Sequence, residues 1–339
     1  GLPSNTWTYH IEASVHGKGI AYAVFDGHNS GDMKPYVYKT SDFGTTWTNI
    51  ITDNVIGTSR NIQEDYENEN LLFLGTEFGL YITADGGKNW EKFTKNVPPV
   101  AVHFIDLQKQ TNDLVLGTHG RGIIIIEDIS PLREITTEVL KSKLHFFSSK
   151  PMKLSDESGF AGSFGAETQF VGENANRSPQ IKYLLPKRHT FGKMSMEIKN
   201  SKGEVVSKLS PGKSKGINIV NWSGNTRQPK VAKGKTLAFG GFATPRVEAG
   251  SYTAVITKGR NVYEHTFEIV YDERSGLTLA DRKMKHDIMS KMYKMTEELA
   301  YMVYQIDAFI KAPETNSKLK LKLNELKKTL VITTGDNYV

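Results

Sequence analysis

The chain has 339 residues, 38% of them hydrophobic, which is enough for two or three globular domains. It has no cysteine, excluding disulfides and thiolate metal sites, and no apolar run long enough to cross a membrane as a helix. The net charge of +6 is unevenly split: residues 1–132 hold nine basic and sixteen acidic side chains (−7), the remainder 34 and 21 (+13), which marks an anionic partner, attraction between the two parts of the molecule, or a set of solvated lysines.

The first third repeats. Strands are expected at residues 9–13, 21–25, 36–40 and 46–50, from their alternation and aromatic or β-branched content, with Gly, Asn and Asp clusters between them. Thr40-Ser41-Asp42-Phe43-Gly44-Thr45-Thr46-Trp47 fits the pattern Thr-x-Asp-x-Gly-x-x-Trp, and so does Thr83-Ala84-Asp85-Gly86-Gly87-Lys88-Asn89-Trp90, 43 residues on. Leu74-Gly75-Thr76 before Gly79-Leu80-Tyr81 recurs as Leu116-Gly117-Thr118 before Gly122-Ile123-Ile124. A period in the low forties with several short strands per unit is that of a propeller blade. Within the motif the threonine hydroxyl and the aspartate carboxylate accept backbone N–H groups in a tight turn. The glycine takes a positive φ, and the tryptophan folds beneath the loop. Thr40, Asp42, Gly44, Trp47, Thr83, Asp85, Gly87 and Trp90 are therefore expected to be structural. The third unit has no such box after residues 123–126, and Pro131 suits a chain leaving the repeat.

Residues 133–165 read as a linker, Gly- and Ser-rich near residues 158–165. Residues 166–272 read as all-β, with strands at 181–185, 194–199, 204–209, 217–222, 251–257 and 263–271, a spacing expected of an immunoglobulin-like sandwich. Ala249-Gly250-Ser251-Tyr252-Thr253-Ala254-Val255 resembles a strand of FlgD-like accessory sandwiches. From residue 277 the period turns helical, with Thr278 and Asp281 as a capping box. The stripe Met284, Ile288, Met292, Met295, Leu299, Met302, Ile306 and Phe309 or Ile310 is read as a core face, the alternative being an adaptable partner groove, and a lysine-rich second helix completes a hairpin over 277–335.

The runs 34–47, 74–81 and 118–122, followed by Asp128-Ile129-Ser130-Pro131-Leu132, resemble the bacterial, Bacteroidetes-type branch of the sortilin/Vps10-like Asp-box (BNR-repeat) β-propeller proteins, in their C-terminal portion. The resemblance is close over residues 1–135 and weaker beyond. It implies a large secreted, periplasmic or cell-surface protein, with peptide-binding relatives of the sortilin type and glycan-hydrolysing Asp-box relatives. It supplies no catalytic motif matched in this chain.

The expected fold is thus mostly β: a partial β-propeller of about three blades over residues 1–132, then an immunoglobulin-like β-sandwich and a C-terminal helical hairpin. Two clusters are candidate ligand sites. His119 and Arg121, among Gly117, Gly120 and Gly122, sit where a blade's second strand turns into its third, and Arg121 offers a forked donor. Asp26 and His28, with Asp32 and Lys34, fill the loop before Tyr36; the plain alternative there is a solvated polar loop. No metal or cofactor is expected, and the nucleotide-binding, Gly-x-Ser-x-Gly and zinc patterns are absent. Sparse aromatics in the basic part speak against nucleic acid. The expected role is noncatalytic binding of a peptide, protein or glycan. The alternatives are a glycoside hydrolase with catalytic residues upstream and a subunit of a larger envelope assembly. Three blades do not close a ring, so the expected partner is an upstream propeller segment or another chain that completes it.

Overall fold

The computed structural model describes residues 2–154, 178–233, 244–273 and 275–331. The chain is mostly β and divides into two compact units, Gly1–Ser142 and Lys143–Val339.

Unit 1 is three successive antiparallel meanders. The first is β1 (Trp7–Ala13), β2 (Ala21–Gly27), β3 (Asp32–Thr40) and β4 (Thr48–Asn49). The second is β5 (Ser59–Glu64), β6 (Leu72–Thr76), β7 (Gly79–Thr83) and β8 (Glu91–Phe93). The third has three strands, β9 (Val102–Gln108), β10 (Asp113–Thr118) and β11 (Ile123–Ile126). Each meander has the up-and-down order of a propeller blade, and is called a blade below.

Pairing register places equivalent residues in rows across the three blades. One row is His10, Val24, Val37 in the first, Asn61, Gly75, Leu80 in the second and Phe104, Gly117, Ile123 in the third. The next is Ile11, Ala23, Tyr38, then Ile62, Leu74, Tyr81, then Ile105, Leu116, Ile124. Strand side chains alternate between faces, so alternate rows look toward opposite neighbours. One core joins Tyr22, Val24 and Val37 of the first blade to Ile62, Leu72, Leu74, Tyr81 and Trp90 of the second. The other joins Phe73 and Leu80 of the second to Ile105, Leu107, Leu114 and Leu116 of the third. The same pair of faces thus makes both interfaces. Gly75 lies at the second one, where a Cβ would stand 2.4 Å from the Val102 carbonyl oxygen, so only glycine lets β9 lie so close.

A short 3-10 turn (Ser130–Glu134) and α1 (Thr137–Lys141) end unit 1. Arg133 is tied back to the buried Asp65 by its Nε at 2.9 Å and its Nη2 at 2.8 Å.

Unit 2 has two sheets over one core. β12 (His145–Phe146), β14 (Gln180–Leu185) and β17 (Gly216–Asn221) form one. The other runs in the order β13 (Met152–Leu154), β19 (Asn261–Tyr271), β18 (Gly250–Lys258), β15 (Met194–Asn200) and β16 (Val205–Leu209), with β13 parallel to β19. Ile181, Tyr183 and Leu185 from the first sheet meet Met196, Ile198, Ala254, Ile256, Phe267 and Trp222 in that core. Both β12 and β13 lie in the stretch read from sequence as a linker. Each is too short to show alternation. The Gly/Ser-rich residues 158–165 lie outside the described residues.

α2 (Leu279–Lys311) starts on the expected capping box, with Thr278 accepting from the Asp281 N–H and Asp281 accepting in return. α3 (Ser317–Leu330) follows and packs on α2, where Lys327 Nζ reaches Asp307 at 2.6 Å. The methionine stripe is not a core face, correcting the sequence reading. Met284, Ile288, Met292, Met295 and Met302 are exposed, and the buried apolar residues of α2 are Val303 and Ile306. A helical stripe states that some surface is to be covered, not that this chain covers it.

Candidate functional site

The two Thr-x-Asp-x-Gly-x-x-Trp motifs bridge β3 to β4 and β7 to β8. In each, the threonine hydroxyl donates to the aspartate and accepts a glycine N–H: Thr40 to Asp42 at 2.8 Å and Gly44 to Thr40 at 3.0 Å, Thr83 to Asp85 at 2.7 Å and Gly87 to Thr83 at 3.1 Å. Asp42 also accepts the Thr46 N–H at 2.8 Å, and Asp85 that of Asn89 at 2.9 Å. Gly87 is needed twice over, for a φ of +94° and because its Cβ would stand 2.9 Å from that of Ile50. The tryptophans differ. Trp90 is 1% exposed, its indole N–H on the Ile50 carbonyl of the preceding blade, whereas Trp47 is 41% exposed and bonds within its own turn to Gly44.

A second repeated feature emerges only in three dimensions. Each inner strand carries one extra residue near its start: Tyr9 in β1, Arg60 in β5 and His103 in β9. Such bulges re-aim a side chain. Beside each, at the same register on the second strand or just past it, stand Asp26, Glu77 and His119. These six side chains, with His28, form one polar cluster drawn from all three blades. Arg60 donates through Nη1 to Asp26 and through Nη2 to Glu77 at 2.8 Å, and the Tyr9 ring centre lies 5.1 Å from its guanidinium carbon. Asp26 also accepts the His28 backbone N–H at 2.9 Å and holds His28 Nδ1 at 2.6 Å. The Tyr9 hydroxyl lies 3.3 Å from His103 Nδ1, and the His103 and His119 rings stack at 5.5 Å.

Burial alone works against the charge on Arg60, but the Glu77 and Asp26 carboxylates more than offset it and raise its pKa. His103 is pushed the other way. Burial lowers its pKa, and so do the positive charge of Arg60 and its neighbour His119, all of which favour the neutral ring. Asp26 fixes the His28 ring through Nδ1, on a side chain that is 40% exposed. Four consecutive residues at the head of β5 add buried polar atoms without a protein partner among the described residues: Thr58 Oγ1, Ser59 Oγ, Arg60 Nε and Asn61 Oδ1.

Of the residues singled out from sequence, Asp26, His28 and His119 meet in this cluster. Arg121 does not: it is exposed and has no ion-pair partner among the described residues. Asp32 turns to its own hairpin, accepting the Tyr36 hydroxyl at 2.7 Å. Tyr9, Arg60, Glu77 and His103 are not singled out by the sequence, because their convergence depends on which strands pair and where they bulge. Chemically the cluster offers half-exposed donors and acceptors on a rigid base. Both carboxylates are engaged by one guanidinium. Among the described residues no group of three or more His, Asp or Glu side chains is placed to hold a metal ion. In unit 2, Lys230, Lys233 and Lys311 border a cavity of about 660 Å³ beside α2, together with Glu297 and Asp307.

No family model and no curated relative matches the chain. Among solved structures, it is similar to an ancestral GH74 enzyme (19% identity, 34% of this chain, 14% of that one, TM-score 0.28). It is similar also to YCF48 bound to D1 peptide (17%, 37%, 37%, 0.28) and to the GH74 enzyme of Niastella koreensis (12%, 77%, 38%, 0.32). The chain spans well under half the length of each, and likenesses this slight transfer no function.

Proposed function

We propose that unit 1 is an arc of an Asp-box β-propeller whose polar cluster binds a ligand without chemistry, unit 2 being an immunoglobulin-like accessory sandwich with a helical hairpin. The observation that carries this reading is the bridge from Arg60 to Asp26 of the first blade and Glu77 of the second. It joins a carboxylate of each of two blades through one guanidinium, which builds a preorganised recognition surface. Tyr9, Glu77, His28 and His119 face outward to meet a polar peptide or glycan. A secreted, periplasmic or cell-surface setting follows from the family resemblance; no helix among the described residues is long and apolar enough to cross a membrane.

The test is calorimetric titration of the chain with a panel of neutral oligosaccharides and extended peptides. One member is expected to bind, and Glu77→Gln or Tyr9→Ala to weaken it about tenfold or more, the loss of one or two hydrogen bonds. Hydrolysis of any of those oligosaccharides, abolished by Asp26→Asn or Glu77→Gln, would sink the noncatalytic reading.

A further inference from the structure

His103 is where the third blade enters the polar cluster. The bulge in β9 re-aims its ring. Its Nδ1 lies 3.3 Å from the Tyr9 hydroxyl of β1, and the ring stacks on His119, in the turn after β10, at 22° from parallel. The charged and titratable groups that act on it are Tyr9, Arg60 of β5, Glu77 in the turn after β6, and His119. Glu77 favours a positive ring, but more weakly than Arg60 or His119 opposes one, and its carboxylate is already held by Arg60 Nη2 at 2.8 Å. Asp26 is held by Arg60 and by His28. A proton on His103 therefore arrives beside two other basic groups, with both carboxylates of the cluster engaged elsewhere. An imidazolium has only donors, so a Tyr9 O–H that the neutral Nδ1 can accept must turn away.

We propose that His103 is a pH switch for the polar cluster: as a neutral ring it ties the head of β9 to the first two blades, and as an imidazolium it releases that end. The apolar core between the second and third blades, Leu80 with Ile105 and Leu116, is untouched by the proton, so the opening is local. Burial, Arg60 and His119 all lower the pKa of the ring from its ordinary 6.5. A histidine whose folded value lies below its unfolded one stabilises the fold fully above the unfolded value, and that contribution is lost as pH falls through 6.5 and on through the folded value. The switch thus acts in acid solution. It rests on the binding reading in that these rings belong to the proposed ligand surface, but its test reads strand opening and no ligand, so either can fail without the other.

The test joins two measurements on the full chain. Nuclear magnetic resonance of the histidine rings, with His103 assigned by its loss in His103→Asn, is expected to show that ring titrating below 6.5. Amide hydrogen exchange is then compared at about pH 7.5 and about pH 5.5, either side of the ordinary histidine pKa and corrected for the intrinsic pH dependence of exchange. At the lower pH the head of β9, with β1 and β5, is expected to open more, by about tenfold for a ring that takes its proton one pH unit below the opened chain. The strands β14, β15, β18 and β19 of unit 2 are the control and should not respond. His103→Asn keeps a polar group near the Nδ1 position and is expected to abolish the acid response. His119→Asn, which removes the stacked basic neighbour, should shrink it. A His103 ring that titrates at or above 6.5 overturns the switch. So does a parent without the acid response, a response that survives in His103→Asn or is unchanged in His119→Asn, or one shared equally by unit 2.

Discussion

Trp47 and Trp90 stand at the same place in the same motif and have different energetics. Trp90 fills the space between two blades, and Trp90→Ala is expected to cost about 3–5 kcal/mol, as large-to-small changes in cores do. Trp47→Ala is expected to cost less than half of that, measured by denaturant unfolding of both variants side by side. Asp85 adds a pH dependence. Partial burial would raise its pKa, but hydrogen bonds from Asn89, from the Thr83 hydroxyl and from backbone N–H groups lower it on balance. A carboxyl held below its unfolded value stabilises the fold fully above the ordinary aspartate pKa of about 3.9 and loses that contribution as pH falls through the folded value. Asp85→Ala should therefore flatten the acid limb of the stability curve and change its slope little above pH 5. The boxes themselves were readable from sequence because their hydrogen bonds are local. The burial of each tryptophan was not, since it depends on a neighbour some forty residues back.

At the scale of strands and blades, close packing hangs on small features. Gly75 and Gly117 are register equivalents, and only the first has a strand laid over it. Gly75→Ala drives a methyl group into the Val102 backbone and is expected to cost about 1–3 kcal/mol, the range for overpacking. Gly117→Ala meets first the Cβ of the exposed Phe104, at 3.3 Å, and should change stability by less than half as much. Thermal melts of the two single variants check the difference. The strand pattern was legible here: residues 21–25 and 36–40 fall within β2 and β3, and 181–185 and 194–199 within β14 and β15. The three bulges were not, for they shift register without altering composition. Nor was the fate of the methionine stripe, because amphipathicity records a need for cover and not its source.

Across the whole molecule the polar cluster also serves to couple the blades. Arg60 belongs to the second blade, its carboxylate partner Asp26 and the overlying Tyr9 to the first, and Tyr9 reaches His103 of the third. The Arg60 guanidinium is 9% exposed and Asp26 3%, so the ion pair is screened little by solvent. Removing one member of a buried pair costs up to about 3–5 kcal/mol when the other charge is left alone. Asp26 keeps its His28 contacts, so Arg60→Ala should cost less than that in unit 1. Arg60→Ala with Asp26→Ala should recover part of the loss, since the stranded carboxylate is then gone. Unit 2 has its own core, built from Ile181, Tyr183, Trp222 and Phe267, and shares none of these groups. Hydrogen exchange read peptide by peptide should show faster opening across β1, β5 and β9 together in the Arg60→Ala chain, with β14, β15, β18 and β19 unchanged. Faster exchange confined to β5 would mean that the blades open singly and that Arg60 serves recognition without joining them.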